Sequence, residues 1–183
     1  MSLPHAILGL LTHTPMTGYD LKNRAFDSTI AHFWQADQAQ IYRTLSSMAE
    51  SGWVQSTLEI QEEHPNRKVY HITEAGRAEL LRWLHGEQSL PVHREPFLVQ
   101  MFFGDQLENA TMLERIEQQR AAHQSKLERY LQIGLPPLGQ GDRRETYWRL
   151  TLEMGIAMER MYLDWLAQCE AVVRALPQRS DTL

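Results

Sequence analysis

Gln38, Gln40, Tyr42, Arg43 and Ser47 fall in one short stretch of helical pattern, and their side chains carry the groups that read nucleic acid. A glutamine amide offers a donor and an acceptor side by side, matching the exposed edge of adenine, and a guanidinium fork matches guanine. The Tyr42 hydroxyl can reach a phosphate, and Lys22, Arg67 and Lys68 are cations for which phosphate is the natural partner. Other chemistry finds little support. The eight histidines are dispersed without metal-ligand spacing, which makes each a surface or capping residue, and no metal or other cofactor is expected. No phosphate loop, dinucleotide fingerprint or nucleophile elbow occurs, so an enzyme is not expected.

The elements that must position these residues follow from periodicity. Ile41, Leu45 and Met48 form an inward face that turns Gln40, Arg43 and Ser47 outward, with Ala39 and Tyr42 on the flanks. An Asp37/Gln40 capping box starts this helix, predicted over Gln38–Ser51, and Gly52 stops it. Before it, Leu3, Ala6, Ile7, Leu10 and Leu11 predict a first helix that ends over His13–Met16. A Thr17/Asp20 capping box predicts a second helix through Leu21 to about Phe26. After it, Trp53–Ile60 and Arg67–Thr73 predict a β-hairpin around a polar turn containing Pro65. Thr73 then caps a fourth helix with Leu80, Leu81 and Leu84 on its apolar side. Three short helices, a hairpin and a closing helix make a winged helix-turn-helix, in which the third helix reads the major groove and the hairpin is the wing. Glu59, Glu62 and Glu63 beside Arg67 and Lys68 predict a shallow wing that makes one or two phosphate contacts.

The chain has 183 residues, 43% of them hydrophobic and 22% charged, which excludes disorder and allows one sizeable core or two small ones. Its net charge is −5; up to His85 it is −2, from 7 Lys and Arg against 9 Asp and Glu, and beyond it −3, from 11 against 14. Bulk attraction to nucleic acid is thereby excluded, and a few placed cations must serve instead. Near the N-terminus the longest apolar stretch, Ala6–Leu11, is far short of a membrane span, and no secretory signal is recognised, so a cytoplasmic location with no membrane partner is expected. The single cysteine, Cys169, excludes an intrachain disulfide framework. Gly86–Pro96 reads as a linker dividing a DNA-binding domain, residues 1–86, from a helical domain, residues 87–183.

The second half is predicted to be mostly helical, broken at Gly134–Gly141 by Pro136 and Pro137. An Asp142/Glu145 capping box opens its last helix. Along it Tyr147, Thr151, Met154, Met158, Met161, Trp165, Cys169, Val172 and Leu176 recur at spacings of three and four. With Leu150, Tyr162, Leu166 and Val173 beside them, the stripe is too wide to be satisfied within one short chain. The expected architecture is therefore mainly α with a small β-hairpin, an N-terminal winged helix-turn-helix followed by a C-terminal helical dimerisation domain. Met154, Met158, Met161, Trp165, Cys169 and Val172 form the seam of a homodimer. Leu113, Ile116, Leu127 and Tyr130 give the preceding helix a weaker stripe, interrupted at Arg120 and His123.

The residues themselves carry a resemblance. Thr17-Gly18-Tyr19-Asp20-Leu21, Gln40-Ile41-Tyr42-Arg43-Thr44-Leu45, Glu50-Ser51-Gly52-Trp53-Val54 and Arg67-Lys68-Val69-Tyr70-His71-Ile72-Thr73-Glu74-Ala75-Gly76-Arg77 together resemble the PadR family of bacterial transcriptional regulators. Glu95-Pro96-Phe97-Leu98, Leu152-Glu153-Met154-Gly155-Ile156 and Asp164-Trp165-Leu166 are similar to the helical C-terminal domain of the family's shorter, second subfamily. The resemblance implies a ligand-responsive regulator, a repressor in most cases, that binds a pseudo-palindromic operator in double-stranded DNA as a homodimer. It also implies a small aromatic effector in a pocket between the domains, with Trp34, His93, Trp148, Met154 and Tyr162 as candidate lining residues. The alternative class is a winged helix that has become a protein-interaction module, for which the acidic wing and the net charge argue.

Overall fold

The computed structural model describes residues 3–31, 33–60, 66–92 and 94–177. The chain divides into two compact units, Met1–Leu90 and Pro91–Leu183, each built around its own apolar side chains.

The first unit begins with α1 (Leu3–Leu11), followed by β1 (Met16–Thr17) and α2 (Gly18–Asp20). Thr17 starts α2 as its capping box requires: its hydroxyl accepts from the Asp20 amide at 3.0 Å, and the Asp20 carboxylate accepts from the Thr17 amide at 3.2 Å. Beyond Asp20 the helix widens into π turns over Leu21–Thr29, running past the predicted end near Phe26. Next comes α3 (Gln38–Glu50), with Ile41, Leu45 and Met48 buried and Ser51 as its last cap. Gly52, at φ +70°, then reverses the chain in a conformation that suits glycine.

Two longer strands follow, β2 (Val54–Glu59) and β3 (Arg67–Ile72), paired antiparallel from Val54 opposite Ile72 to Glu59 opposite Arg67. β1 pairs with the other edge of β3, Met16 opposite Tyr70 and Thr17 opposite Val69, so the sheet has three strands in the order β1-β3-β2. This corrects the expectation of a two-stranded hairpin: the segment that ends the first helix goes on to bury backbone groups against the wing strand. α4 (Glu74–Leu84) closes the unit, capped by the Thr73 hydroxyl, which accepts from the Gly76 amide at 3.1 Å. A Cβ at Gly76 would stand 2.1 Å from the Trp53 carbonyl oxygen, so only glycine fits there. Leu80 is buried, but Leu81 and Leu84 are exposed, which narrows the predicted apolar side of α4 to a single leucine. The core joins Ile7, Leu8 and Leu11 of α1 to Leu21, Phe26, the inward face of α3, Val54 and Tyr70.

The second unit contains α5 (Pro96–Phe102), a single 3₁₀ turn over Gly104–Gln106, α6 (Asn109–Leu131) and α7 (Arg143–Ala175). Pro96 sits in the first turn of α5, where its missing N–H costs nothing, and Glu95 caps it. α7 opens on the predicted Asp142/Glu145 box. α6 and α7 pack antiparallel, since Asn109 at the start of α6 donates to the carbonyl of Leu176 just beyond α7 at 3.0 Å. Phe97, Met112, Ile116, Leu166 and Val173 form one core cluster, and Leu127, Tyr130, Leu152 and Ile156 another.

Charged pairs also join α6 to α7. Arg120 pairs with Glu170, and Glu159, with only 3% of its side chain exposed, accepts from His123 at 2.5 Å and Lys126 at 2.6 Å. The interruptions of the α6 stripe at Arg120 and His123 therefore face charged partners on α7. His123 also stacks on Tyr162 at 4.4 Å. In the first unit the buried His5 stacks on Trp83 at 4.7 Å and bonds Glu79 at 2.9 Å. Both histidines are pairing residues, His5 buried and His123 half-buried, in place of the surface or capping role expected for them.

Candidate nucleic-acid interface

α3 presents the predicted face. Gln38, Gln40, Tyr42, Arg43 and Ser47 are all exposed while the Ile41–Leu45–Met48 row anchors the opposite side. Arg43 has no carboxylate partner among the described residues, so its full charge is available to an incoming anion. Gln40, Arg43 and Ser47 border one depression of about 610 Å³ together with Trp34 and Trp53. The side-chain oxygen of Gln40 is engaged: it accepts from the Asp37 amide at 3.1 Å, completing the capping box. A bidentate contact to adenine has to use the second lone pair of that oxygen, whereas a single donation from the Gln40 amide nitrogen leaves the cap untouched.

Tyr42 stands on the other flank. A Cβ at Gly18 would lie 2.5 Å from its ring, so the absence of a side chain at Gly18 lets α3 approach the start of α2. Tyr42 remains 41% exposed. Tyr19 is 64% exposed beside that contact, an aromatic that the periodicity of α2 did not mark. Its signal was its place between the helix-starting Gly18 and the capping Asp20.

The flanking cations differ from one another. Lys22 bonds Asp27 at 2.5 Å, and Arg67 bonds Asp20 across 47 residues of sequence at 2.9 Å. Burial pushes the Asp20 carboxyl up, but the Thr17 hydroxyl and amide and the Arg67 guanidinium outweigh that and hold it below the usual range. Asp20 thus stays ionised and keeps Arg67 neutralised. Lys68, by contrast, lies 5.4 Å above the Tyr70 ring, a contact that leaves its charge uncancelled. Glu59 stands opposite Arg67 in the strand register, while Glu62 and Glu63 lie outside the described residues.

In the second unit Met154, Met158, Met161 and Val172 are exposed along α7. Trp165 and Cys169 from the same predicted seam are half-buried against the unit's own core, where Phe97 of α5 meets Trp165 edge-on at 5.9 Å. Burial also pushes the Cys169 thiol up, which keeps it protonated. The candidate effector residues are not gathered within one unit. Trp34 belongs to the first, His93 lies outside the described residues, and in the second unit Tyr162 is buried whereas Met154 is 62% exposed on another side of α7. Trp148 is half-buried under Arg144, 5.0 Å from its ring. No cluster that could hold a metal ion occurs among the described residues, and none of their helices is long and apolar enough to cross a membrane.

Comparison with known proteins gives two separate family matches along the chain. Residues 7–82 match the model of the transcriptional regulator PadR-like family, and residues 93–174 match that of the virulence activator alpha C-terminal region. The probable transcriptional regulator Rv1176c of Mycobacterium tuberculosis is 49% identical over 84 residues, a match that covers 46% of this chain and only 44% of that protein. Bacillus subtilis PadR in complex with operator DNA is 26% identical, covering 94% of this chain and 99% of its own, with a TM-score of 0.83. The same protein, described as a negative transcriptional regulator, has also been solved with p-coumaric acid. The Vibrio cholerae virulence activator AphA is 27% identical, covering 96% of this chain and 100% of its own, with a TM-score of 0.77. These relatives are regulators of transcription, not enzymes.

Proposed function

Because the chain belongs to the PadR-like family of transcriptional regulators, we propose that it acts as a homodimeric repressor that reads a pseudo-palindromic operator with α3. The observation that carries this reading is Arg43: exposed, without a carboxylate partner among the described residues, and set in a helix capped at its start and anchored by three buried side chains. A capped, buried helix holds its outward residues in fixed register, which is what base recognition demands. One such helix offers few contacts. Two copies one helical turn of DNA apart, roughly 34 Å, supply the rest. The exposed Met154, Met158, Met161 and Val172 support pairing through α7, since an unpartnered apolar row on a helix of 33 residues calls for a second surface. In this reading the first unit binds DNA and the second joins the dimer and takes the effector. The relative solved with p-coumaric acid supports an aromatic effector, and of the candidate lining residues Trp148 and Tyr162 are the aromatic ones in the second unit.

A second reading, a protein-interaction module with little DNA binding, is favoured by the net charge of −5 and by the internal pairing of Lys22 and Arg67. A mobility shift on the DNA upstream of the protein's own gene separates the two. The repressor reading predicts a discrete complex with two chains per duplex that competing random DNA does not dissolve, and the module reading predicts none.

A further inference from the structure

A single oxygen of Asp20 receives three donors: the Thr17 hydroxyl at 2.7 Å, the Thr17 amide at 3.2 Å and Arg67 at 2.9 Å. Two of these belong to the helix cap, a local device. The third comes from the first residue of the wing strand and serves no cap. Arg67 keeps 44% of its side chain exposed, so an anion can reach it while the carboxylate holds it. The neighbouring pair Lys22–Asp27 repeats the arrangement, whereas Arg43 and Lys68 have no carboxylate partner among the described residues. The cations around the reading face thus fall into two kinds, free and internally neutralised.

Resting on the DNA-binding reading, we propose that Asp20 sets how strongly this protein holds DNA of any sequence, by competing with phosphate for Arg67. A free cation that meets a phosphate releases counterions, which makes binding tighter and more salt-dependent. A cation that first leaves a carboxylate exchanges one anion for another, and the vacated carboxylate then repels the backbone beside it. Arg67 therefore adds little to non-specific affinity. This keeps the protein from settling on random DNA and leaves discrimination to α3. Exposed pairs of this kind are weak, so the exchange is readily reversible and the wing is not locked.

The test is a double-mutant cycle on the full chain, using Asp20→Asn, Arg67→Gln and the double variant. Each is titrated against a random-sequence duplex over a range of salt. Asparagine retains a side-chain oxygen for the Thr17 donors, and thermal melts establish that each variant is folded. Asp20→Asn is expected to bind about two- to five-fold tighter at low salt. The slope of log affinity against log salt is expected to steepen by about 0.9, the value of one additional phosphate contact. Arg67→Gln in the Asp20→Asn background is expected to remove both gains. Unchanged affinity and slope in Asp20→Asn, or gains that survive Arg67→Gln, would overturn the proposal while leaving the DNA-binding reading standing. If wild type and every variant ignore DNA, the DNA-binding reading falls, and this inference with it. Should Asp20→Asn fail to fold, Asp27→Asn is the second probe, with the same steepening expected through Lys22 and an unchanged slope counting against the competition mechanism.

Discussion

The ring of Tyr42 lies against the bare Cα of Gly18, where a methyl group would stand 2.5 Å from the nearest ring carbon. This contact joins the start of α2 to the exposed flank of α3, so the angle between the two helices of the DNA-reading motif depends on the missing side chain. Gly18→Ala is expected to push Tyr42 and α3 outward, at a cost of about 1–3 kcal/mol for overpacking. Urea unfolding measures the cost. Affinity for operator DNA should fall alongside it, and the double variant Gly18→Ala/Tyr42→Ala should recover stability because the clash is gone.

Acid should weaken the first unit through Glu79. Bonds from Arg82 and His5 hold this carboxyl at about 2, against an ordinary value of 4.5. A carboxyl depressed in the folded state favours folding once the unfolded chain has ionised, above about pH 4.5, and that contribution fades as pH falls toward 2. Urea midpoints of wild type and Glu79→Gln should accordingly differ near neutrality and converge below pH 4. A difference that holds constant down to pH 2.5 would contradict the assignment.

Glu159 is the buried anion on which α6 and α7 meet, receiving both His123 and Lys126. Removing it takes the acceptor from His123 and leaves Lys126 with Tyr130 alone. Glu159→Ala should destabilise the second unit by about 2–3 kcal/mol, less than a fully buried pair would cost because the Lys126 side chain remains 40% exposed. Chemical denaturation with a probe in the second unit, such as Trp165 fluorescence, reads this directly.

Met161 lies on the exposed row of α7, away from the unit's own core. A charge placed there should leave the fold intact and break the proposed homodimer. Sedimentation of Met161→Lys is expected to show a monomer with wild-type circular dichroism, and a dimer undisturbed by this change would move the interface elsewhere.

Much of this was legible in the sequence because it is local. The three capping boxes at Thr17/Asp20, Asp37/Gln40 and Asp142/Glu145 each involve residues three apart, and all three form. The inward row of α3 follows from the helical repeat alone. β1 was not legible: two residues are too few for any period, and its partner β3 is about fifty residues away. The Arg67–Asp20 pair was hidden for the same reason, and it changes Arg67 from an open cation into a shared one. Trp165 and Cys169 fitted the seam by spacing, but α5 covers Trp165 with Phe97, a packing choice that the pattern of α7 cannot reveal. The polar interruptions of α6 looked like breaks in a stripe until their partners on α7 were in place.

In the proposed DNA-binding role, a few placed side chains on α3, with Arg43 foremost, give a chain of net charge −5 its specific hold on DNA. The most direct measurement is the affinity of wild type and Arg43→Ala for the duplex upstream of the protein's own gene and for a scrambled duplex, over a range of salt. The expected result is a loss of about 1–3 kcal/mol for Arg43→Ala on the upstream duplex, with discrimination between the two sequences relaxed and affinity falling as salt rises. Full binding by Arg43→Ala, or an affinity indifferent to salt, would contradict it.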